Sequence, residues 1–185
     1  MLLVFKHLNL KQYVAKHWIF VTNPNNLVIC LDKCVFGVEP SKYGFTARNL
    51  LNKDDLFFFY VRSARTGASK CELGFIGPYM VVGHYVSSPN NSTVNAWKPS
   101  GKFAVIIGFK NGNHSVGFVP MDSAFNALSF ITNKARTGRG GWQDHVQFSI
   151  ISIREEDYNT LLSNRLTQHD CIDHLKSIVK SNCMF

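Results

Sequence analysis

The spacing of apolar positions changes along the chain in a way that separates strands from helices. From His17 to Val21 the run is compact and apolar and closes in Thr22-Asn23-Pro24, which predicts a buried strand entering a capped turn. Asn23 can then accept from the first helical turn and Pro24 can open it, with Leu27, Val28 and Leu31 on the inner face and an end near Lys33. Val35 to Val38, around Phe36-Gly37, reads as a short extended piece, and Tyr43 to Leu51 as a further helical turn. Leu56 to Val61 is unbroken and rich in aromatics, too continuous for a half-exposed strand, and predicts the central strand.

Phe75 to Gly77 and Tyr79 to Val86 form a second β stretch with a bulge expected at Gly77-Pro78. Lys102 to Lys110 is a third, turned by Asn111-Gly112-Asn113 into Ser115 to Val119. Asp122 is placed to open a helix with Phe125, Leu128 and Ile131 on one face, and His145 to Ile153 alternates as a closing strand. Ser152 and Glu155 suit a capping box for a last helix through Leu166, with Tyr158, Leu161 and Leu162 inward. Five or six strands with three helices in the connections predict an α+β domain built on a small, partly closed barrel. Residues 1–16 read as an N-terminal extension, and residues 167–185 as a tail, a short helix or a fray.

Composition narrows the reading. A chain of 185 residues with 45% hydrophobic side chains can bury a core of its own. Lysine and arginine total 20 against 12 acids, a net charge of +8 that favours an anionic partner. No apolar run of about eighteen residues occurs, so a soluble, cytoplasmic protein without membrane contact is expected. The cysteines at 30, 34, 71, 171 and 183 form no C-x2-C pair and read as free thiols, with Cys30 and Cys34 one helical turn apart. His169, Cys171 and His174 read as tail surface rather than ligands, and neither metal nor cofactor is expected.

Two segments concentrate positive charge without acids, one carrying Arg62, Arg65 and Lys70, the other Lys134, Arg136 and Arg139. Both are rich in small residues and read as loops whose cationic groups can sit on phosphates. Trp18, Phe36, Tyr60, Trp97 and Trp142 stand beside polar residues at element ends, where a planar base can stack, although a tryptophan opening a buried strand, as Trp18 does, is more often core. Catalytic patterns are thin. No G-x-S-x-G, Walker A or G-x-G-x-x-G motif is present, and Asp54-Asp55 and Glu155-Glu156-Asp157 are explained by a strand lead-in and a helix N-terminus.

The string from His17 to Asn26, H-W-I-F-V-T-N-P-N-N, followed by V-F-G-V at Val35 to Val38, resembles the opening of EVE domains, members of the PUA-like superfamily. In the same order come Asn52 to Val61, Phe75 to Tyr79, Phe130 to Lys134, Gly141-Trp142 and Arg154 to Tyr158, each similar to a family segment. The resemblance covers residues 17–166, which it marks as one EVE/PUA-like domain.

The resemblance implies a barrel flanked by helices, with a cleft for a modified nucleobase presented by DNA or RNA. It implies Phe36 and Trp142 as aromatic walls, Thr22 and Asn23 as edge readers and Tyr60 as a lining residue. Where the family often has a tryptophan before Gly37, this chain has Phe36, which has no N–H donor. The loop 135–141 is longer than usual in the family, and the polar connection from Ser87 to Ser100 carries Trp97. The expected function is a non-catalytic nucleic-acid reader. The alternative is a PUA-like enzyme, a nuclease or amidohydrolase, with Lys53 or Tyr60 as base or nucleophile.

Overall fold

The computed structural model describes residues 14–40, 43–62, 73–87, 92–97, 102–135 and 150–180. Its first strand, β1 (His17–Thr22), leads directly into α1 (Pro24–Lys33). Asn23 caps that helix as predicted, its side chain accepting from the Asn26 N–H at 2.9 Å. Cys34 closes it in a left-handed conformation, and β2 (Val35–Val38) follows. Then come α2 (Gly44–Asn49), β3 (Leu56–Val61) and the long β4 (Gly74–Val86). A short α3 (Ser92–Ala96) precedes β5 (Val105–Asn111), β6 (Gly117–Pro120) and α4 (Met121–Ala124). The last elements are β7 (Ile150–Ile153), α5 (Glu155–Ser163) and α6 (Asp170–Ile178).

Seven strands form one mixed, unclosed sheet in the order β2-β5-β4-β3-β1-β7, with β6 also paired to β4. Among the described residues only β1 and β3 run parallel, with Thr22 opposite Val61; the other pairs are antiparallel. The α+β class holds, with more strands and shorter helices than expected. β4 shifts register against β3 across Gly77-Pro78, where the bulge was predicted.

Alternation along β3 divides the interior in two. Phe57, Phe59 and Val61 enter one cluster with Phe20, Phe36, Tyr79 and Trp97, whereas Phe58 and Tyr60 enter a second with Phe75, Leu128 and Tyr158. The continuous apolar run is thus a strand covered on both faces.

A buried carboxylate ties the lead-in to this sheet. Asp55 is fully buried and accepts from the Lys16 N–H at 2.8 Å and from the Trp18 indole and the Asn52 N–H at 2.9 Å each. Trp18 is therefore core, anchored by its own N–H.

Several expectations are corrected. The helix from Asp122 is a single turn, because Ser129 leaves the helical path to donate to Asp157 from its N–H at 2.5 Å and its hydroxyl at 2.8 Å. The Ser152/Glu155 capping box does not form; Arg154 is the N-cap of α5, without a side-chain bond. The segment after Gln168 does form a short helix, but Cys171 is not tail surface: with Ile172, Leu175 and Val179 it packs into the first cluster. His169 is likewise engaged: its ring lies 4.6 Å from that of Phe118, and its Nδ1 accepts from the Cys171 N–H. The thiols are not all free either. Cys34 and Cys171 each take part in a disulfide, and Cys30 is free and buried, a division that spacing alone does not reveal. Among the described residues, no helix is long and apolar enough to cross a membrane.

Candidate nucleic-acid interface

A cavity of about 170 Å³ opens where β1 and β3 end side by side and α1 begins. This place is dictated by the parallel pair. Both strands deliver their C-terminal residues to one edge, and the chain after β1 must turn there into its helix. Thr22 and Asn23 come from that turn, Asn26 and Cys30 from α1, Phe36 and Gly37 from β2, and Arg62 from the end of β3. Trp97 and Phe103, on the connection between β4 and β5, are also among its described lining residues.

The floor is aromatic. Phe36 stacks on Phe20 with ring centroids 4.9 Å apart and 22° between planes, which fixes the ring with one face covered. Trp97 lies against Gly37: a Cβ at that position would come within 2.7 Å of the Trp97 ring and of Phe103. Glycine is required here by close approach, and the tryptophan closes one side of the cavity because of it.

The rim is polar and partly self-satisfied. The Arg62 N–H donates to the Thr22 carbonyl at 2.9 Å, and the Thr22 hydroxyl is directed at the Asn23 carbonyl at 3.4 Å. Deeper in, Cys30 is completely enclosed, and burial pushes its thiol up to about 12 against the opposing influence of the Trp97 indole and the Gly37 backbone. The Trp97 indole N–H lies on that enclosed side, beside the Cys30 sulfur and sealed from solvent.

The predicted site residues divide. Phe36, Thr22, Asn23 and Arg62 meet at the cavity. Tyr60 does not: it is 1% exposed, on the opposite face of β3, tilted against Phe75 at 5.1 Å, and burial raises its hydroxyl well above the usual tyrosine range. Its expected lining role is corrected by the two-residue alternation of a strand whose neighbour Phe59 faces the other cluster. Lys134 is also away from the cavity, its ammonium donating to the Asn126 carbonyl at 2.5 Å. Trp142, Arg65, Lys70, Arg136 and Arg139 lie outside the described residues. Sequence reasoning flagged Trp97 only as one of several aromatics. What singles it out is Gly37, whose missing side chain makes room for a ring from a distant loop.

A second hollow lies beside Ser129, Ser152, Arg154 and Asp157, but the Asp157 carboxylate there is already engaged by Ser129. Among the described residues, no group of three or more His, Cys, Asp or Glu side chains is placed to hold a metal.

No family model matches the sequence, and no curated protein does. Solved structures do match. A hypothetical protein from Leishmania major is similar over 81% of this chain and 94% of its own, at 14% identity and a TM-score of 0.51. A Pseudomonas putida protein is similar over 81% of this chain and 99% of its own, at 15% identity and a TM-score of 0.50. Human THYN1, solved with DNA containing 5-methylcytosine, covers 80% of this chain and 96% of its own at 16% identity and a TM-score of 0.49. At such identities a likeness speaks for fold. Coverage of 99% and 94% of the Pseudomonas putida and Leishmania major proteins shows that this chain shares their fold.

Proposed function

We propose that the protein is a non-catalytic reader that takes a modified nucleobase of DNA or RNA into the cavity beside Phe36 and Trp97. The observation that carries this reading is the cavity itself: an aromatic floor and a polar rim, open at an edge that also presents Arg62. Stacking rewards a flat ring, and a few buried polar groups test its edge. Thr22 and Asn23 read that edge, and Trp142 is assigned the role of second aromatic wall on the family resemblance. Arg62, Arg65, Lys70, Lys134, Arg136 and Arg139 hold the phosphates, in keeping with a net charge of +8.

Anisotropy titrations of the full chain on oligonucleotides with and without a modified base, across a salt series, test this. Affinity for all of them should fall steeply with salt. Trp142→Ala should remove the preference for the modified base and leave general affinity nearly intact. Equal loss of binding to modified and plain oligonucleotides would contradict the pocket assignment.

A further inference from the structure

We propose that the N-terminal extension, through residues 1–13, docks as an added strand on the open edge of β4 from Val82 to Val86. The proposal does not rest on the reading of the cavity.

β4 outruns its neighbour. β3 begins at Leu56, opposite Met80, and the last bonds across the pair belong to Val81: its N–H donates to the Asp55 carbonyl at 2.8 Å, and its carbonyl accepts from the Asp54 N–H at 2.9 Å. Before that, Asp54 turns the chain out of the strand with a φ of 71°. β4 continues past a register shift between Val81 and Gly83 to Val86, held on one side by β5, with Tyr85 opposite Ile106 and Val86 opposite Val105. On its other side, no described strand pairs with Val82 to Val86.

The ladder fixes which backbone groups are left over. The Ser87 N–H donates to the Ala104 carbonyl at 2.7 Å, so Ser87 and, two residues before it, Tyr85 direct their backbone toward β5. His84 and Val86 therefore turn their N–H and C=O to the outer side. The side chains along this stretch are open and apolar: Val82 is 44% exposed, Tyr85 53% and Val86 62%. Val82 to Val86 contains no lysine, proline or acid, the residues that keep an open edge from pairing. An edge of this kind is a template for one more strand.

The N-terminal extension is placed to supply that strand. β1 runs parallel to β3 and β3 antiparallel to β4, so the chain entering β1 approaches antiparallel to β4. Lys16 is fixed at this entry. Its carbonyl accepts from the Leu56 N–H at 2.9 Å, and its N–H donates to the side chain of Asp55, the residue whose carbonyl takes the Val81 N–H. One strand spacing, about 4.8 Å, separates this line from the outer side of β4. Val14, 76% exposed, is the last described residue on the path. Residues 1–13 precede it and, at about 3.3 Å each, are long enough to cross over and cover Val82 to Val86. They carry Leu2, Leu3, Val4, Phe5, Leu8 and Leu10 and no acid, which suits an apolar edge. A second copy of the chain competes for the same groups. The tethered segment wins, because it meets the edge at an effective concentration of about millimolar, well above that of the protein itself.

Residue-resolved hydrogen exchange of the full chain by NMR, with sedimentation to report mass, tests the proposal. At a concentration where the chain is a monomer, the His84 and Val86 amides and a run of amides between Leu2 and Tyr13 should exchange about tenfold or more slower than open chain. Cross-strand nuclear Overhauser contacts should join the two sets. Leu8→Pro combined with Leu10→Pro should release both sets together, each exchanging about tenfold faster, while the amides of β3 keep their protection and so report a folded variant. If the variant does not fold, the wild-type contacts decide: their presence supports the docking and their absence overturns it. Fast exchange at His84 and Val86 in the full chain overturns it, as does protection there that survives the double substitution in a folded variant. Protection that appears only with the mass of a dimer gives the edge to a second copy and overturns it as well.

Discussion

The two faces of the sheet use the same device and reach opposite ends. On each, a glycine seats an aromatic ring: Gly77 lies under Phe58 and Gly37 under Trp97, with 2.7 Å between a would-be Cβ and the ring in both cases. Behind Phe58 the space is filled by Tyr158, edge-on at 5.5 Å, and the second cluster closes. Beside Trp97 the chain leaves a hollow bordered by Thr22, Asn23 and Arg62. Ring content does not separate a core from a site here. What separates them is whether the far side of the ring meets apolar cover or the ends of two parallel strands, where the backbone must turn and expose polar groups.

Substitutions that separate the faces sharpen this comparison. The largest effect is expected on the sealed side. Tyr60→Ala should cost about 3–5 kcal/mol in denaturant unfolding, as removal of an enclosed aromatic does, while the protein that remains folded keeps its base preference. Loss of that preference at unchanged folded fraction would mean that Tyr60 reaches the cavity after all. Asp55→Ala should follow, at about 3 kcal/mol, because it strands the Lys16 and Asn52 N–H groups and the Trp18 indole together. Trp18 fluorescence should shift to the red in that variant if the indole anchor is broken.

Gly37→Ala comes next and should act on the open side. The added methyl must displace Trp97 or Phe103, at a stability cost of about 1–3 kcal/mol. Base preference should fall further than stability accounts for, and a variant that melts early yet discriminates as the wild type does would detach Trp97 from recognition.

How far the sequence discloses all this depends on the range of the determining contacts. Asn23 capping α1, the doubly buried β3 and the irregularity at Gly77-Pro78 are local matters of propensity and period, and they were legible. The Ser152/Glu155 box was equally local in form but was overruled, as the chain enters α5 directly from β7 through Arg154. Ser129 ending the α4 path on Asp157 is set by a partner 28 residues away, which no window of the sequence contains. The burial of Cys171 and Leu175 against the first cluster is likewise long-range; only the face of α6 hinted at it. For the site, residues on one turn, Thr22 and Asn23, were readable together, Phe36 came from the family likeness, and Tyr60 was misplaced by a single step of strand alternation. Trp97 required the knowledge that Gly37 lies beneath it.

The smallest expected effect concerns the border between the faces, where His17 lies against Tyr158 with ring centroids 4.4 Å apart. Burial holds the imidazole below its ordinary 6.5, and the nearby carboxylates of Glu155 and Asp55 oppose this without reversing it. The folded state therefore binds its proton less readily than the unfolded chain. Between 6.5 and the lower folded value, the unfolded state carries more protons, so stability rises with pH across that window. The contribution is present in full above 6.5 and is lost as pH falls through the folded value. His17→Gln should flatten this slope in melts taken from neutral to mildly acidic pH, and it should leave base preference at neutral pH unchanged, since His17 does not line the cavity. A slope unaltered by the substitution would assign the titration to another histidine, and a slope of opposite sign would mean that Glu155 and Asp55 outweigh burial at this border.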